Sequence, residues 1–559
     1  MNFNSFSLNG QIVDLIQSRI FPGEVTVTEG VITEIKELPT AENRFIMPGF
    51  IDAHIHIESS MLPPSEFARL AVCHGTVATV SDPHEIANVL GIAGVRYMIA
   101  NGKKLPFKFY FGAPSCVPTT SFETTGAVMD ARLLDELLGL DSIYYLSEMM
   151  NYPGLLNDDP EILRKIASAK KYGKPIDGHA PGLRGDALRK YVSAGISTDH
   201  ECYTLEEAQE KIGLGMKILI REGSAAKNYD ALIPLMAIRP DMLMFCSDDK
   251  HPNDLVKGHI NQLVRRSLKQ GYHLMDVLKA ASLNAKNHYH LDVGMLQLGD
   301  AADFIVVDNF EDLNILQTYI NGQLVAENGV TRLTHLHNRA LNCFNAKYIK
   351  EEDIRLPYGR KPIRMIGCTN GSLVTSTLIQ EPLVETGNMI SDTARDLLKI
   401  VVVNRYTKAR PAVAFINGVG LKRGALASSV AHDSHNIVAV GTSDADIVQA
   451  INFLIGCKGG IVACWEEDVA LLPLPIAGLM SLNDGYNVSQ LYEKADKLAH
   501  ELGSKLDAPF MTLSFMSLLV IPELKLSDKG LFDTNQFAFV KNGKESLLRR
   551  LERSFPRRV

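Results

Sequence analysis

No Cys-x-x-Cys occurs in the 559 residues, and the eight cysteines are scattered from Cys73 to Cys464. This excludes a zinc ribbon and a disulfide frame, and it leaves reduced, buried thiols. No apolar run is long enough to span a bilayer, and Met1 to Gly23 has no charged segment leading into an apolar one. A cytoplasmic protein without membrane association is therefore expected. Positive charge is also in short supply. A net charge of −7 with 22 % charged residues offers no general basic surface for nucleic acid. The basic cluster Arg549, Arg550, Arg553, Arg557 and Arg558 reads as a solvated tail. The glycines at 418, 420 and 424 are not followed by Gly-Lys-Ser/Thr, so no phosphate-binding loop is present, and nothing in the chain is repetitive or of low complexity.

The chain is too long for one core, and its length predicts about three or four domains. Short alternating runs broken by glycine, Gln11 to Asp14 and Gly23 to Lys36, predict a small antiparallel sheet. Its other half lies far downstream, in Gly299 to Asp308 and Thr318 to Ala326, with Asn321-Gly322 as a hairpin signal. Between these halves, apolar segments alternate with helix-length ones. They end near His56, Asp82, Pro114, Glu148, His179, His200, Gly223 and Asp249. Eight strands in about 240 residues is the rhythm of a TIM-type barrel. The expected fold is thus α/β: a (β/α)8 barrel over 49–290, a split β-sandwich from 1–48 and 291–345, and an additional C-terminal α+β domain over 346–559. In that last region Ile400 to Asn404, Ala412 to Ile416, Asn436 to Val440 and Gly459 to Ala463 read as strands, and Ala445 to Leu454 as a helix.

The most informative segment is Ile46-Met-Pro-Gly-Phe-Ile-Asp-Ala-His-Ile-His56, an apolar strand running into two histidines two residues apart. Alternate residues on a strand share a face, so His54 and His56 can hold one metal ion together. The spacing alone says little, since chance gives about half such a pair in a chain with this many histidines. His288/His290 and His335/His337 have it too, but without the preceding strand. Other strand ends carry Asp82 with His84, Glu148, His179, His200 with Glu201, and Asp248 with Asp249. Singly, His179 could be a loop histidine, Glu148 a surface acid and Asp248 a helix N-cap. Together they predict a metal site on the C-terminal face of the barrel. This mixture of imidazole and carboxylate suits a borderline or hard divalent cation. One ion can take His54, His56 and Asp248 and a second His179 and His200, with Glu148 between them. Two such charges lower the pKa of a bound water enough to make it a nucleophile near neutral pH. His432-Asp-Ser-His435 reads as exposed turn chemistry.

The Pro-Gly-Phe-Ile-Asp-Ala-His-Ile-His entry, the split sandwich closing with Gly299-Asp-Ala-Ala-Asp-Phe, and the barrel ending near His290 resemble the amidohydrolase superfamily. More narrowly, Ser59-Ser-Met61, Ser81-Asp-Pro-His-Glu85, Ser147-Glu-Met-Met-Asn151, Asp177-Gly-His-Ala-Pro-Gly182, Thr198-Asp-His-Glu-Cys202 and Ser247-Asp-Asp-Lys-His251 resemble the adenine deaminase family. So do Asn404-Arg-Tyr and Val430 to Asn436, which carries the resemblance over nearly the whole chain. Many members of the superfamily bridge their metals with a carboxylated lysine, and here Glu148 stands at that position.

The resemblance implies two divalent ions, Mn2+ or Fe2+, and hydrolysis of adenine to hypoxanthine and ammonia. It also implies a small-molecule substrate and a homo-oligomer, with a dimer favoured. Attack at C6 requires protonation of N1 and of the leaving amine. Glu201 is the candidate acid at N1, and Asp248 the candidate to carry the proton from the bridging hydroxide to the amine. His84 and His251 either hydrogen-bond the nucleophile or substrate, or support the ligands. The alternatives are a sibling amidohydrolase acting on another aminopurine or a cyclic amide, and a non-catalytic barrel-shaped assembly protein.

Overall fold

The computed structural model describes residues 5–359 and 361–540. The basic cluster near the C-terminus lies outside the described residues. Among these, no helix is long and apolar enough to cross a membrane.

The first sheet is assembled from both ends of the barrel segment. Strands Phe6–Asp14, Arg19–Thr28, Val31–Glu37 and Phe45–Pro48 share eight-stranded pairing with Phe304–Val307, Ile315–Ile320, Gln323–Glu327 and Val330–Thr331. The seam is antiparallel, Phe45–Pro48 against Phe304–Val307. Asn321 and Gly322 both take positive φ, 48° and 73°, which is what a two-residue turn matched to strand twist requires.

The eight expected barrel strands are all present: Phe50–Ile55, Thr76–Ser81, Lys108–Ala113, Ile143–Met149, Ile176–Gly178, Thr198–Asp199, Lys217–Arg221 and Leu243–Cys246. The parallel pairing runs through the first five and through the last three. Ser197 N–H to the Ile176 carbonyl (3.0 Å) links the two runs on one side. On the other side Asp248 N–H donates to the His54 carbonyl (2.9 Å) and His56 N–H to the Asp248 carbonyl (3.2 Å). Helices cover the outer face, so the strands are buried on both sides. This is why Phe50–Ile55 and Thr76–Ser81 read as unbroken buried runs and not as alternating ones.

Beyond the barrel a second eight-stranded sheet forms around Leu398–Val403, Ala412–Asn417, Ala425–Ser428, Ile437–Gly441 and Gly460–Trp465. Helix Asp444–Cys457, capped by the Ser443 hydroxyl, packs on it through Ile447, Ile451 and Leu454. Helix Gly485–Glu501 turns toward the barrel and lies against helices Pro64–Ala71 and Pro252–Lys257. Arg69 ties this junction by pairing with both Glu66 and Asp484. The junction brings the C-terminal sheet over the open end of the barrel.

Candidate metal centre

His54 lies in the first barrel strand and His56 just past its end, so both rings emerge on the same side. Their Nε2 atoms are 3.3 Å apart, and they stand 3.5 and 3.1 Å from Asp248 Oδ1. Asp248 arrives there because the last strand pairs with the first. Its backbone is left-handed, φ 55°, a conformation unfavourable for a residue with a Cβ and tolerated where neighbours over-determine it. It caps no helix. His56 Nδ1 faces the Asp82 carbonyl at 3.2 Å, which makes that nitrogen the N–H and leaves Nε2 free to ligate.

The other half comes from the fourth, fifth and sixth strands. Glu148 Oε2 lies 2.8 Å from His179 Nδ1 and 3.1 Å from His200 Nε2. Its Oε1 lies 3.5 Å from His56 Nε2 and 3.4 Å from His84 Nδ1. One carboxylate therefore addresses both groups of imidazoles, an oxygen to each. Two imidazole nitrogens and a carboxylate oxygen crowded to one point present lone pairs to one another, and only a proton or a cation relieves that repulsion. His54 Nδ1 is buried without a hydrogen-bond partner, so the ring is not held by a hydrogen bond there. The donor set fits divalent cations of the Zn, Mn or Fe kind.

Electrostatics agree. Burial opposes charge at every one of these groups, yet His179 is raised to about 9 by Glu148 and Glu201. His56 is raised by Asp248 and Glu148 against burial and His84. Glu148 is held well below the carboxylate range, against burial, by His179 and His200. Carboxylates outnumber permanent cations here, and that excess attracts a multivalent ion.

His200 and Glu201 would point apart on an ideal strand. The sixth strand ends at Asp199, so both residues lie beyond it and both turn inward, with His200 Nε2 3.6 Å from Glu201 Oε1. Glu201 is not solitary. Arg221, buried at the end of the seventh strand, pairs through Nη1 with Glu201 and with Asp248 Oδ2 (2.7 Å), and Tyr203 donates its hydroxyl to Glu201 Oε2 (3.0 Å). Burial would raise the Glu201 pKa, but Arg221 brings it down to about 2. Sequence reasoning missed Arg221. The available signal was an arginine ending an otherwise apolar barrel strand where its neighbours end in ligands.

His84 stands beside the ligands, its Nδ1 3.1 Å from Asp82 Oδ2 and its ring centroid 4.4 Å from that of His56. His251 does not join them. The chain turns there into helix Pro252–Lys257, and the His251 ring packs edge-on to Tyr492 of the C-terminal helix at 4.7 Å, outside the lining of the cavity. His288 and His335 have other partners, Ser197 (3.2 Å) and Glu66 (2.8 Å).

The expectation of an exposed turn at His432–His435 is overturned. His432 is 3 % and His435 0 % exposed, and both close on the Glu85 carboxylate, one on each oxygen. Sequence cannot show this burial because Glu85 lies 347 residues from His432. The C-terminal region supplies Leu373, His432, Asp433, Phe515, Leu518 and Ile521 to the wall of the cavity whose floor is the ligand cluster.

The chain matches the Amidohydrolase family over residues 45–325 and the Adenine deaminase C-terminal domain over 372–538. It is 56 % identical to an adenine deaminase of Sulfurovum sp. (strain NBC37-1), covering 95 % of this chain and 99 % of that protein. Adenine deaminases of Salinibacter ruber and Methanosarcina mazei are 55 % and 51 % identical, over 96 % and 95 % of this chain and 98 % of each of theirs. The matches thus span both the barrel and the domain that closes it along nearly the full length, and the chain belongs to the adenine deaminase family of amidohydrolases.

Proposed function

We propose that this protein hydrolyses free adenine to hypoxanthine and ammonia at a centre of two divalent ions, Mn2+ or Fe2+. The observation that carries the metal reading is Glu148, whose two oxygens face two separate sets of imidazoles. His54, His56 and Asp248 would hold one ion and His179 and His200 the other, with Glu148 able to serve both. When bound, the ions lower the pKa of water and so supply a nucleophile at neutral pH.

The chain's own groups handle the protons. Water adds to C6 of the purine, N1 gains a proton, and the C6–N bond breaks as the amine leaves as ammonia. Asp248, kept ionised by Arg221 against burial, accepts the proton from the attacking water and passes it to the amine. Glu201 delivers the proton to N1. Because Arg221 and Tyr203 hold it as a carboxylate at rest, it first takes that proton from the same water, whose two protons thus end on N1 and on the amine. His84, also lining the cavity, supports His56 and Glu148. A homodimer, the commonest closed assembly, is the proposed oligomeric state.

The test is ammonia release by purified, metal-loaded protein from adenine, adenosine, guanine and hydantoin. Turnover of adenine with little from adenosine is expected. Comparable kcat/KM on adenosine, or activity on hydantoin alone, overturns the reading.

A further inference from the structure

The metal ligands and both proton-handling carboxylates lie on the barrel side of the cavity and serve only the reacting end of a substrate. The opposite wall belongs to the C-terminal region, and two polar side chains of the cavity have unused hydrogen-bonding capacity, His432 on that wall and Asp249 beyond the end of the last barrel strand. His432 gives its Nδ1–H to Glu85, and its Nε2 has no partner among the described residues. Asp249 accepts from the Ser59 hydroxyl on Oδ1, while its Oδ2 has none. Both side chains line the cavity.

The His432 ring is locked in place. Glu85 is fixed on its other oxygen by His435, whose tautomer follows from Ala431: that backbone N–H donates to His435 Nδ1 (3.2 Å), so the ring hydrogen is on Nε2 and points at Glu85. Phe515 stacks on the His432 ring at 4.6 Å and 20°. A ring clamped at one nitrogen and on one face, with the other nitrogen open to the cavity, is built to contact a ligand. Burial opposes a charge on His432, but Glu85 and Asp249 hold its pKa at about 9, which makes the open nitrogen an N–H donor.

We infer that His432 and Asp249 together read the edge of the base remote from the reacting carbon, His432 Nε2 donating to N3 and the Asp249 carboxylate accepting from N9–H. The inference rests on adenine as substrate. N3 lies across the six-membered ring from C6, so a base with C6 at the metal cluster turns this edge away from the cluster, toward His432 on the far wall and Asp249 at the barrel rim. N3 and N9–H are an adjacent acceptor and donor, and the His432–Asp249 pair is the complementary donor and acceptor. A nucleoside carries a sugar at N9 and has no hydrogen there to donate, so the same pair discriminates free base from nucleoside.

The test uses the full-length, metal-loaded protein with adenine, 3-deazaadenine, which lacks the N3 acceptor, and 9-methyladenine, which lacks the N9–H donor. The wild type should favour adenine over each analogue by about 10- to 100-fold in kcat/KM, the cost of leaving a buried partner unpaired. His432→Ala should raise KM for adenine by a similar factor with metal content unchanged. It should also erase the preference over 3-deazaadenine while keeping that over 9-methyladenine. Asp249→Ala, which removes the acceptor, should do the reverse. His432→Gln retains a donor and much of the shape, and should recover part of the KM. The inference is overturned if His432→Ala and His432→Gln keep the wild-type ratio of adenine to 3-deazaadenine, or lower kcat with KM unchanged. A wild type active on adenine but indifferent to both analogues overturns it too. A wild type that releases no ammonia from adenine instead removes the substrate reading on which it rests.

Discussion

Two histidine pairs in this molecule are each buried against a carboxylate, and they are used in opposite ways. His54 and His56 leave the end of a barrel strand and converge, through Nε2, on a single oxygen of Asp248. His432 and His435 come from a loop of the C-terminal domain and diverge onto the two oxygens of Glu85. Convergent nitrogens leave lone pairs facing one point, which is a cation site. Divergent ones share out the lone pairs of one carboxylate, which is a hydrogen-bonded clamp. Sequence spacing differs by a single residue between the pairs and carries none of this distinction. Where the rings aim decides it.

The comparison predicts a graded series. The largest effect is expected from His54→Ala or His179→Ala, which remove ligands. Turnover should vanish and elemental analysis should find fewer than about two ions per chain. Full activity with one ion or none would break the assignment of the convergent set. Next, Glu201→Gln should keep both ions yet lose about 10²- to 10⁴-fold in kcat, the usual worth of a general acid. Loss of metal in that variant would make Glu201 structural, and near-normal turnover would move the acid elsewhere. Chelation should lower the melting temperature of the protein, and added Mn2+ should restore it. Ions at about 100 times their Kd contribute about 2.7 kcal/mol to stability through preferential binding to the native state. The smallest effect should follow His435→Ala. It leaves one Glu85 oxygen without its donor, at ~1–3 kcal/mol of stability, while metal content stays intact and kcat falls much less than in Glu201→Gln. If His435→Ala stripped the metals as His54→Ala does, the distinction between clamp and ligand pair would fail.

Much of the barrel was legible because each of its strands is a short apolar run that ends in polar sequence. All eight were read close to their observed bounds, down to the two-residue strand Thr198–Asp199. The grouping of the candidate ligands was legible for the same reason: a parallel barrel delivers strand ends to one face, so topology alone brings His54, Glu148, His179, His200 and Asp248 together. The C-terminal region was less so. Its sheet includes Ile363–Gly367, Ser376–Gln380, Ala425–Ser428 and Asp468–Pro473, which the sequence reading left out. Several residues of Ser376–Gln380 are exposed, so no apolar pattern marks that strand. The docking helix Gly485–Glu501 was also missed, because its buried face is built largely of Gly485, Ser489, Ala495 and Ala499, which give little apolar periodicity.

By itself the sequence determined the barrel, the split sheet with its Asn321-Gly322 turn, and the residue types available at the strand ends. These follow from local periodicity and chain order, which any stretch of residues carries with it. Only the tertiary structure decided that Arg221 joins Glu201 to Asp248, that Glu85 clamps His432 and His435, that His251 turns away toward Tyr492, and that the C-terminal region forms the far wall of the cavity. Those contacts bring together residues distant in sequence. Their energies come from burial and from the meeting of charges in space, and neither quantity exists until the chain has folded.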